Sequence, residues 1–272
     1  MRLIFFCLGL ALGVGDLVLA SPAKAQAKFN IGPQVGAASS ISSYSDQANF
    51  SNGGRPYQTR YLAGFEAGVA GALTFGNLEV QPALLFSQRG FRIEDDYINY
   101  YYHATTSVRL RLNYLCLPLS VAYTFRATGH GLQVFAGPYV GLLLGGTYTF
   151  HNTYGGYRRL GYAIQGTLPV EGSGRYRSGS NDPAAFNPTG PTPQITTYYS
   201  RRVDAGLQVG LGYRFGNSLV RAGYSLGLTN PGVGSQVDYG GSAGVYIKAP
   251  PSYSNQAFQL SFAYLFWPRS NS

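Results

Sequence analysis

Residues 256–266 read Gln-Ala-Phe-Gln-Leu-Ser-Phe-Ala-Tyr-Leu-Phe. From Phe258 to Phe266 every second residue is large and apolar or aromatic, and the residues between them are small or polar apart from Leu265. Side chains of a β-strand point alternately to its two faces. This stretch therefore predicts a strand with one apolar, aromatic face and one small, polar face.

Seven further segments show comparable alternation. In the clearest of them, Val203, Leu207 and Leu211 share one face, opposite Asp204 and Gln208. Such period-two patterns of β-branched and aromatic residues favour strands over helices. The eight predicted strands span residues 28–38, 60–75, 77–91, 106–125, 132–149, 199–215, 218–229 and 256–266.

Long and short connections alternate along the whole chain. The long ones are residues 39–58, 94–105, 150–197 and 230–255. The short ones are residues 75–77, 126–131 and 216–218. An up-and-down membrane barrel has tight turns on one side and long loops on the other. The sequence therefore predicts an all-β fold: a single up-and-down antiparallel transmembrane β-barrel of about eight strands, with short periplasmic turns, long extracellular loops and periplasmic termini.

The apolar strand faces predict contact with lipid. If they pointed inward, glycine and alanine would form most of the solvated surface, whereas small residues suit the crowded lumen of a narrow barrel. A closed barrel also leaves no unpaired strand edge in the hydrocarbon. Tyr and Phe recur together at short-turn strand ends, in residues 123–125, 213–215 and 264–266. We expect these rings to form an interfacial aromatic girdle at one rim.

The N-terminus predicts export. A short apolar run opens the chain, and Ala23-Lys24-Ala25 fits an A-x-A cleavage site. This pattern indicates a secretory signal peptide, residues 1–25, followed by one outer-membrane barrel domain, residues 26–272. The alternative is an uncleaved anchor helix, which Asp16 disfavours because it interrupts a run already shorter than about 20 residues.

The fourth predicted strand changes phase. Its large apolar residues lie at even positions from Val108 to Tyr114 and at odd positions from Leu115 to Phe125. A one-residue slip would turn the lipid face inward unless an extra residue is absorbed. We therefore expect a β-bulge near residues 114–115, with Pro118 on the inner face at a locally irregular pairing.

Alternation places charged residues inside the barrel. Charges in a narrow lumen need partners and hydrogen bonds. The interpretation from the residues is an ion-pair network that packs the lumen; an anion-selective or gated path is the alternative, because arginines outnumber acids. The nine predicted lumenal residues are Glu66, Glu79, Arg89, Arg109, Arg111, Arg202, Asp204, Arg214 and Arg221.

Several function classes have little support in the residues. The net charge is +9, but no basic run exceeds two residues and many arginines alternate into strands, which argues against nucleic acid. Asp95, Asp96 and His103 lack the spacing of a metal loop. No H-E-x-x-H motif occurs, and the three histidines lie in predicted connections without an evident nucleophile partner, so we expect no enzyme, no catalytic residue, no bound metal and no cofactor.

Four segments resemble the PorT-like outer-membrane β-barrel family. Residues 113–119 (NYLCLPL) look like its tyrosine-leucine-acid-x-proline strand, and residues 137–143 (GPYVGLL) resemble the strand that follows. Residues 210–215 and 224–230 resemble its sixth and seventh strands. One departure is visible, since Cys116 stands where the family usually carries an acid. The resemblance implies an outer-membrane location but no single function, because some members serve secretion and gliding machinery.

Three roles remain open from the residues. The first is a structural or surface-interaction barrel with a packed lumen rather than a wide pore; Tyr-, Gly-, Ser- and Asn-rich loops suit adaptable binding. The second is an accessory component of a secretion or envelope assembly, and the third is a narrow passage for small solutes. We expect a monomeric barrel in the outer membrane of a Gram-negative-type bacterium, in contact with its lipid.

Overall fold

The computed structural model describes residues 28–44, 58–98, 102–126, 130–156, 168–178, 185–187, 194–231 and 253–266. The predicted signal peptide lies outside these ranges. The strands are β1 Lys28–Tyr44, β2 Gln58–Phe75, β3 Leu78–Ile98, β4 Tyr102–Thr124, β5 Gly131–Gly156, β6 Leu168–Ser178, β7 Ala185–Asn187, β8 Gln194–Ser200, β9 Val203–Phe215, β10 Ser218–Gly227 and β11 Tyr253–Tyr264. Within the described ranges, no helix is long and apolar enough to cross a membrane.

Eight of these strands close an antiparallel barrel. Their order is β4-β3-β2-β1-β11-β10-β9-β5, and β4 pairs with β5 to complete the circle. The first strand pairs with the last, through partners such as Val35 and Phe262. The predicted all-β, up-and-down barrel of eight strands is confirmed. We call the end that carries the turns at residues 76–77 and 216–217 the short-turn rim, and the opposite end the loop rim.

The segment predicted as the longest connection, residues 150–197, is partly sheet. Strand β5 continues to Gly156, and its second half pairs with β6, whereas its first half pairs with β9. Strand β8 runs parallel to β6, and β7 pairs with β8. The prediction of one long connection was wrong here because the sheet continues beyond the closed barrel at the loop rim.

The outer surface of the barrel is apolar, as predicted. Along β9, Val203, Leu207 and Leu211 are exposed, whereas Asp204 and Gln208 are buried. The aromatic residues predicted for a girdle are exposed at the short-turn rim, where their rings contact each other pairwise. The centroid distances are 5.6 Å for Tyr123–Phe125, 6.3 Å for Tyr213–Phe215 and 4.9 Å for Tyr264–Phe266.

The strands on one side of the barrel are too long for the membrane alone. On β4 the outward apolar side chains run from Phe125 to Leu115. That is about 33 Å along the strand and, at the usual tilt, about 25 Å along the barrel axis, which matches a lipid-facing band. Strands β3, β4 and β5 have 21, 23 and 26 residues, so they rise past this band at the loop rim.

The bulge lies on a different strand from the one predicted. Strand β4 keeps one phase throughout, with its even-numbered residues facing inward from Val108 to Thr124. The register instead shifts on β5, where Asn113 pairs with Gly145 but Tyr114 pairs with Leu143. The extra residue is therefore on β5, next to Gly145, whose φ of 145° is one that glycine tolerates best.

The apolar even positions of β4 face the lumen, and not the lipid as predicted. Val108, Leu110 and Leu112 are buried in the part of β4 that rises past the lipid band. There the outer face lies beyond the hydrocarbon, so polar side chains face outward and apolar residues pack inward as in a soluble sheet. Pro118 is buried, and neither it nor Leu117 has a partner in the β3–β4 register, which confirms the irregular pairing at this proline.

Candidate functional site

A charged pair crosses the lumen near the short-turn rim. Arg214 of β9 donates through Nη1 to the Oε2 atom of Glu79 on β3, and both residues are buried. Glu79 also accepts hydrogen bonds from Thr74 Oγ1 at 3.1 Å and from Gln81 Nε2 at 2.6 Å. The carboxylate is therefore held by three donors, as a buried charge requires.

A second carboxylate, Asp204, collects donors from four other strands or strand ends. Its Oδ1 accepts from Thr229 Oγ1 at 3.0 Å, and its Oδ2 accepts from Asn255 Nδ2 at 3.1 Å. Tyr139 OH donates to Oδ2 at 3.4 Å, and Arg89 Nη1 lies 3.8 Å from the same oxygen. The Arg89 guanidinium also lies 4.8 Å from the centroid of the Tyr139 ring. These contacts connect β3, β5, β9, β11 and the end of β10 across the lumen.

Between the Glu79–Arg214 pair and Asp204, the other buried charged residues contact mainly neutral side chains. Glu66 accepts from Ser87 Oγ at 2.9 Å and from Gln259 Nε2 at 2.8 Å. Arg221 donates to Ser120 Oγ at 3.1 Å, and its guanidinium lies 3.8 Å from the centroid of the Phe135 ring. Among the described residues, Arg221 has no carboxylate within 4.0 Å, so the ring and hydroxyl are its principal neighbours.

The middle of the lumen holds little free space. A cavity of about 20 Å³ lies among the inward side chains, which is room for about one water molecule. The Gln34 Oε1 atom at this cavity is buried without a hydrogen-bond partner from the protein. Other residues lining the cavity include Glu66, Arg89, Cys116, Gln208, Arg221 and Gln259.

An apolar layer fills the lumen on the loop side of the charges. Phe91 and Tyr253 pack with their ring centroids 5.7 Å apart. Leu112 and Tyr148 are also buried in the same core cluster. The described lumen thus has a polar middle with an apolar layer on its loop side.

The structure brings six of the nine predicted lumenal residues inside. Glu66, Glu79, Arg89, Asp204, Arg214 and Arg221 are all buried. The prediction was wrong for Arg109 and Arg111, which are exposed on the outer face because β4 keeps a single phase. It was also wrong for Arg202, which is exposed because β9 begins only at Val203, so strand alternation does not extend to the preceding bend.

Sequence reasoning from charges missed the neutral half of this network. Ser87, Ser120 and Gln133 are fully buried on the inner face, and Gln133 Oε1 accepts from Gln81 Nε2 at 2.9 Å. The signal was present, since Ser87 shares parity with Glu79 and Arg89 on β3, Ser120 with Pro118 on β4, and Gln133 with Phe135 on β5. Alternation alone could have assigned them to the lumen.

The other residues considered for chemistry lie apart. Cys116 is a free, buried cysteine, and His130 and His151 are exposed. Within the described ranges, no three His, Cys, Asp or Glu side chains are grouped so that they would hold a metal ion. The side chains of Asp95, Asp96 and His103, considered for a cation, lie outside the described part of the chain.

A closed eight-stranded barrel with an apolar outer surface and a polar lumen is a transmembrane β-barrel. The chain belongs to the family of outer membrane protein beta-barrel domains, whose pattern it matches over residues 21–231. It is therefore a bacterial outer-membrane protein.

The chain is similar to solved structures that have low sequence identity to it. The attachment invasion locus protein Ail of Yersinia pestis is 9% identical, with 88% of this chain and 99% of that chain covered and a TM-score of 0.33. The Neisserial surface protein A, NspA, is 12% identical, with 88% and 97% covered and a TM-score of 0.32. No curated protein matches the sequence. At these identities no activity is carried over from the neighbours.

Proposed function

We propose that this protein is a sealed barrel that works through its loop-rim surface, in a structural or surface-interaction role. The observation that carries this proposal is the filled lumen below a sheet that rises out of the lipid band. Strands β3, β4 and β5 extend well beyond the roughly 9–11 residues that a membrane crossing needs. By contrast, β9, β10 and β11 have 13, 10 and 12 residues and end near the band.

The packed lumen argues against a passage for small solutes. Glu79 and Arg214 cross it near one rim, Asp204 and Arg89 lie further along it, and an apolar layer follows. An eight-stranded barrel is just wide enough for side chains to fill. In planar bilayers, the refolded protein is therefore expected to give no open steps of porin size, with a 16-stranded porin as the positive control. Porin-sized steps that scale with protein concentration would contradict a sealed barrel.

The proposed orientation places the loop rim outside the cell and both termini in the periplasm. Single-cysteine labelling tests it, because native Cys116 is only 3% exposed and gives little background. Thr149 is exposed on the rising part of β5, and Arg126 is exposed at the short-turn rim. On intact cells, a membrane-impermeant maleimide should label Thr149→Cys, and should label Arg126→Cys only after the outer membrane is permeabilised. The reverse pattern would exclude this orientation.

A PorT-like role in a secretion or envelope assembly is the second candidate. It is supported by the matching motif in residues 113–119, whose Tyr114 and Cys116 are buried in the lumen wall of β4. In this role the rising sheet or the loops would contact an envelope partner. Deletion of the chain, followed by secretion, adhesion and permeability assays, separates the roles: a secretion defect with normal permeability favours the assembly role.

A further inference from the structure

Four arginines form a cluster on the outer face of the barrel, on the loop-rim side of the lipid band. We propose that this arginine cluster, Arg60, Arg92, Arg109 and Arg111, binds the phosphate groups of a glycolipid headgroup in the surrounding outer leaflet, that is, of lipid A. The inference rests on the orientation proposed above, which the cysteine labelling tests separately. It assigns a ligand class to outward-facing residues, which take no part in packing the lumen.

The sheet register brings these side chains together. Arg60 of β2 pairs with Arg92 of β3, and Arg92 pairs with Arg109 of β4. Neighbouring strands lie about 4.8 Å apart, so three guanidinium-bearing residues occupy about 10 Å of surface. Arg111 follows two residues along β4 on the same outward face. Like charges placed directly opposite each other destabilise a sheet, so such a row calls for a counter-charge.

Among the described side chains, one carboxylate supplies part of that counter-charge. Glu94 bridges two members, with its Oε2 3.1 Å from Arg60 Nε and its Oε1 3.0 Å from Arg92 Nε. Arg109 and Arg111 have no carboxylate within 4.0 Å among the residues whose side chains are described. Among the side chains that the structure describes, four guanidinium groups and one carboxylate give this surface a charge of +3.

The position of the cluster along the barrel axis indicates which part of a lipid it contacts. On β4 the outward apolar residues end at Leu115, and Arg111 lies four residues beyond it, about 10 Å along the barrel axis at the usual tilt. This is the level at which headgroups meet the barrel wall. The cluster faces sideways toward neighbouring lipids, and not up toward the loops.

Arginine fits phosphate at this position for a geometric reason. Its planar guanidinium offers paired N–H donors that match two phosphate oxygens, whereas lysine acts as a single charge. Arg109 lies opposite Thr149 on β5, and Arg111 lies opposite Thr147, so exposed hydroxyls flank these two guanidinium groups. A headgroup that carries both phosphates and sugar hydroxyls matches this combined surface.

The test uses full-length mature protein refolded in nanodiscs, with native mass spectrometry as the readout. The probes are bisphosphorylated lipid A, its dephosphorylated form and phosphatidylglycerol. The double variant Arg109→Gln/Arg111→Gln should weaken binding of bisphosphorylated lipid A by about tenfold or more, since it removes two charge-assisted contacts. Arg109→Lys/Arg111→Lys, which keeps the charge but loses the paired donors, should fall between this variant and the wild type.

The matched control is Arg126→Gln, which removes an exposed arginine at the opposite rim and should leave lipid A binding unchanged. Heat modifiability on gels verifies that each variant is folded. Equal binding by the wild type and the double Gln variant would overturn the proposal. Equal binding of phosphorylated and dephosphorylated lipid A would overturn it too, and so would equal preference for phosphatidylglycerol, which would mean a general anionic-lipid contact. None of these outcomes bears on whether the lumen is sealed.

Discussion

Replacing Glu79 with alanine is expected to lower the free energy of unfolding by about 3–5 kcal/mol, because it leaves the Arg214 charge buried without its carboxylate. Arg214 is only 5% exposed, so water cannot replace the lost partner without opening the short-turn rim. Thr74 and Gln81 also lose the acceptor that they share. Urea unfolding of the refolded barrel, followed by the fraction of the heat-modifiable gel band, measures the effect.

Two comparison variants test whether the loss of stability arises from leaving a buried charge without its partner. Glu94→Ala removes the ion pairs with Arg60 and Arg92 on the outer surface, and we expect a loss of less than about 1 kcal/mol there because these charges are partly exposed. The double variant Glu79→Leu/Arg214→Met removes both buried charges, and we expect it to be much more stable than Glu79→Ala alone. If Glu79→Ala and Glu94→Ala cost the same, the lumenal pair does not hold the barrel as proposed.

Replacing Gly210 with leucine should be similarly damaging, at about 3 kcal/mol or more. A Cβ atom at Gly210 would lie 2.3 Å from the carbonyl oxygen of Ala222 and 2.6 Å from Cζ of Phe135. Phe135 is the direct cross-strand partner of Gly210, and its ring lies over this glycine and over Gly223. The same urea series, together with the yield of the folded gel band, measures the loss.

The matched control is Ala222→Leu, on the neighbouring strand β10. Ala222 is exposed to lipid and pairs with Leu211, so a larger apolar side chain there meets no protein atoms from the lumen. We expect its stability to stay close to that of the wild type. Normal folding of Gly210→Leu would show that the aromatic ring and the strand backbone move aside easily, contrary to a tightly packed lumen.

These glycines explain how a narrow barrel accommodates large inward side chains. On the inner face, Gln133, Phe135 and Tyr139 of β5 pair with Gly212, Gly210 and Gly206 of β9. A Cβ atom at each of these glycines would lie within 2.9 Å of its partner's side chain. The glycine-rich inner face that indicated a membrane barrel in the sequence thus has a packing role: it leaves room for the rings of the adjacent strand.

The sequence predicted features that depend on one strand at a time. The alternation around Phe258 and Val203 identified which faces meet lipid, and the short connections identified the turns at Gly76 and Gly216. It failed for Arg109 and Arg111, where the assumption that apolar residues face lipid was applied above the lipid band. The predicted strand of residues 106–125 was already about twice as long as a crossing requires. That length indicated that part of the strand lies beyond the lipid band, where apolar residues pack inward as in a soluble sheet.

Other errors arose because the deciding partner is distant in the chain. The phase change around Tyr114 arises because apolar residues fill the lumen beyond the lipid band. The register between β4 and β5 shifts at Gly145 of β5. The adjacent Gly146 was a local sign of irregular pairing in the sequence. Strands β6 to β8 were missed because β6 pairs with the upper part of β5, which β9 leaves unpaired by beginning only at Val203, and β8 and β7 then add to β6.

By itself, the sequence determined the class of fold, the lipid-facing surface and the inward position of Glu79 and Asp204, because alternation is a local property with a period of two residues. Only the tertiary structure decided that Glu79 meets Arg214, that Arg221 rests on Phe135, and that four arginines meet on the outer face. These contacts depend on barrel closure and strand stagger, which bring β3 opposite β9 and align β2, β3 and β4. No pattern within a single strand encodes that alignment.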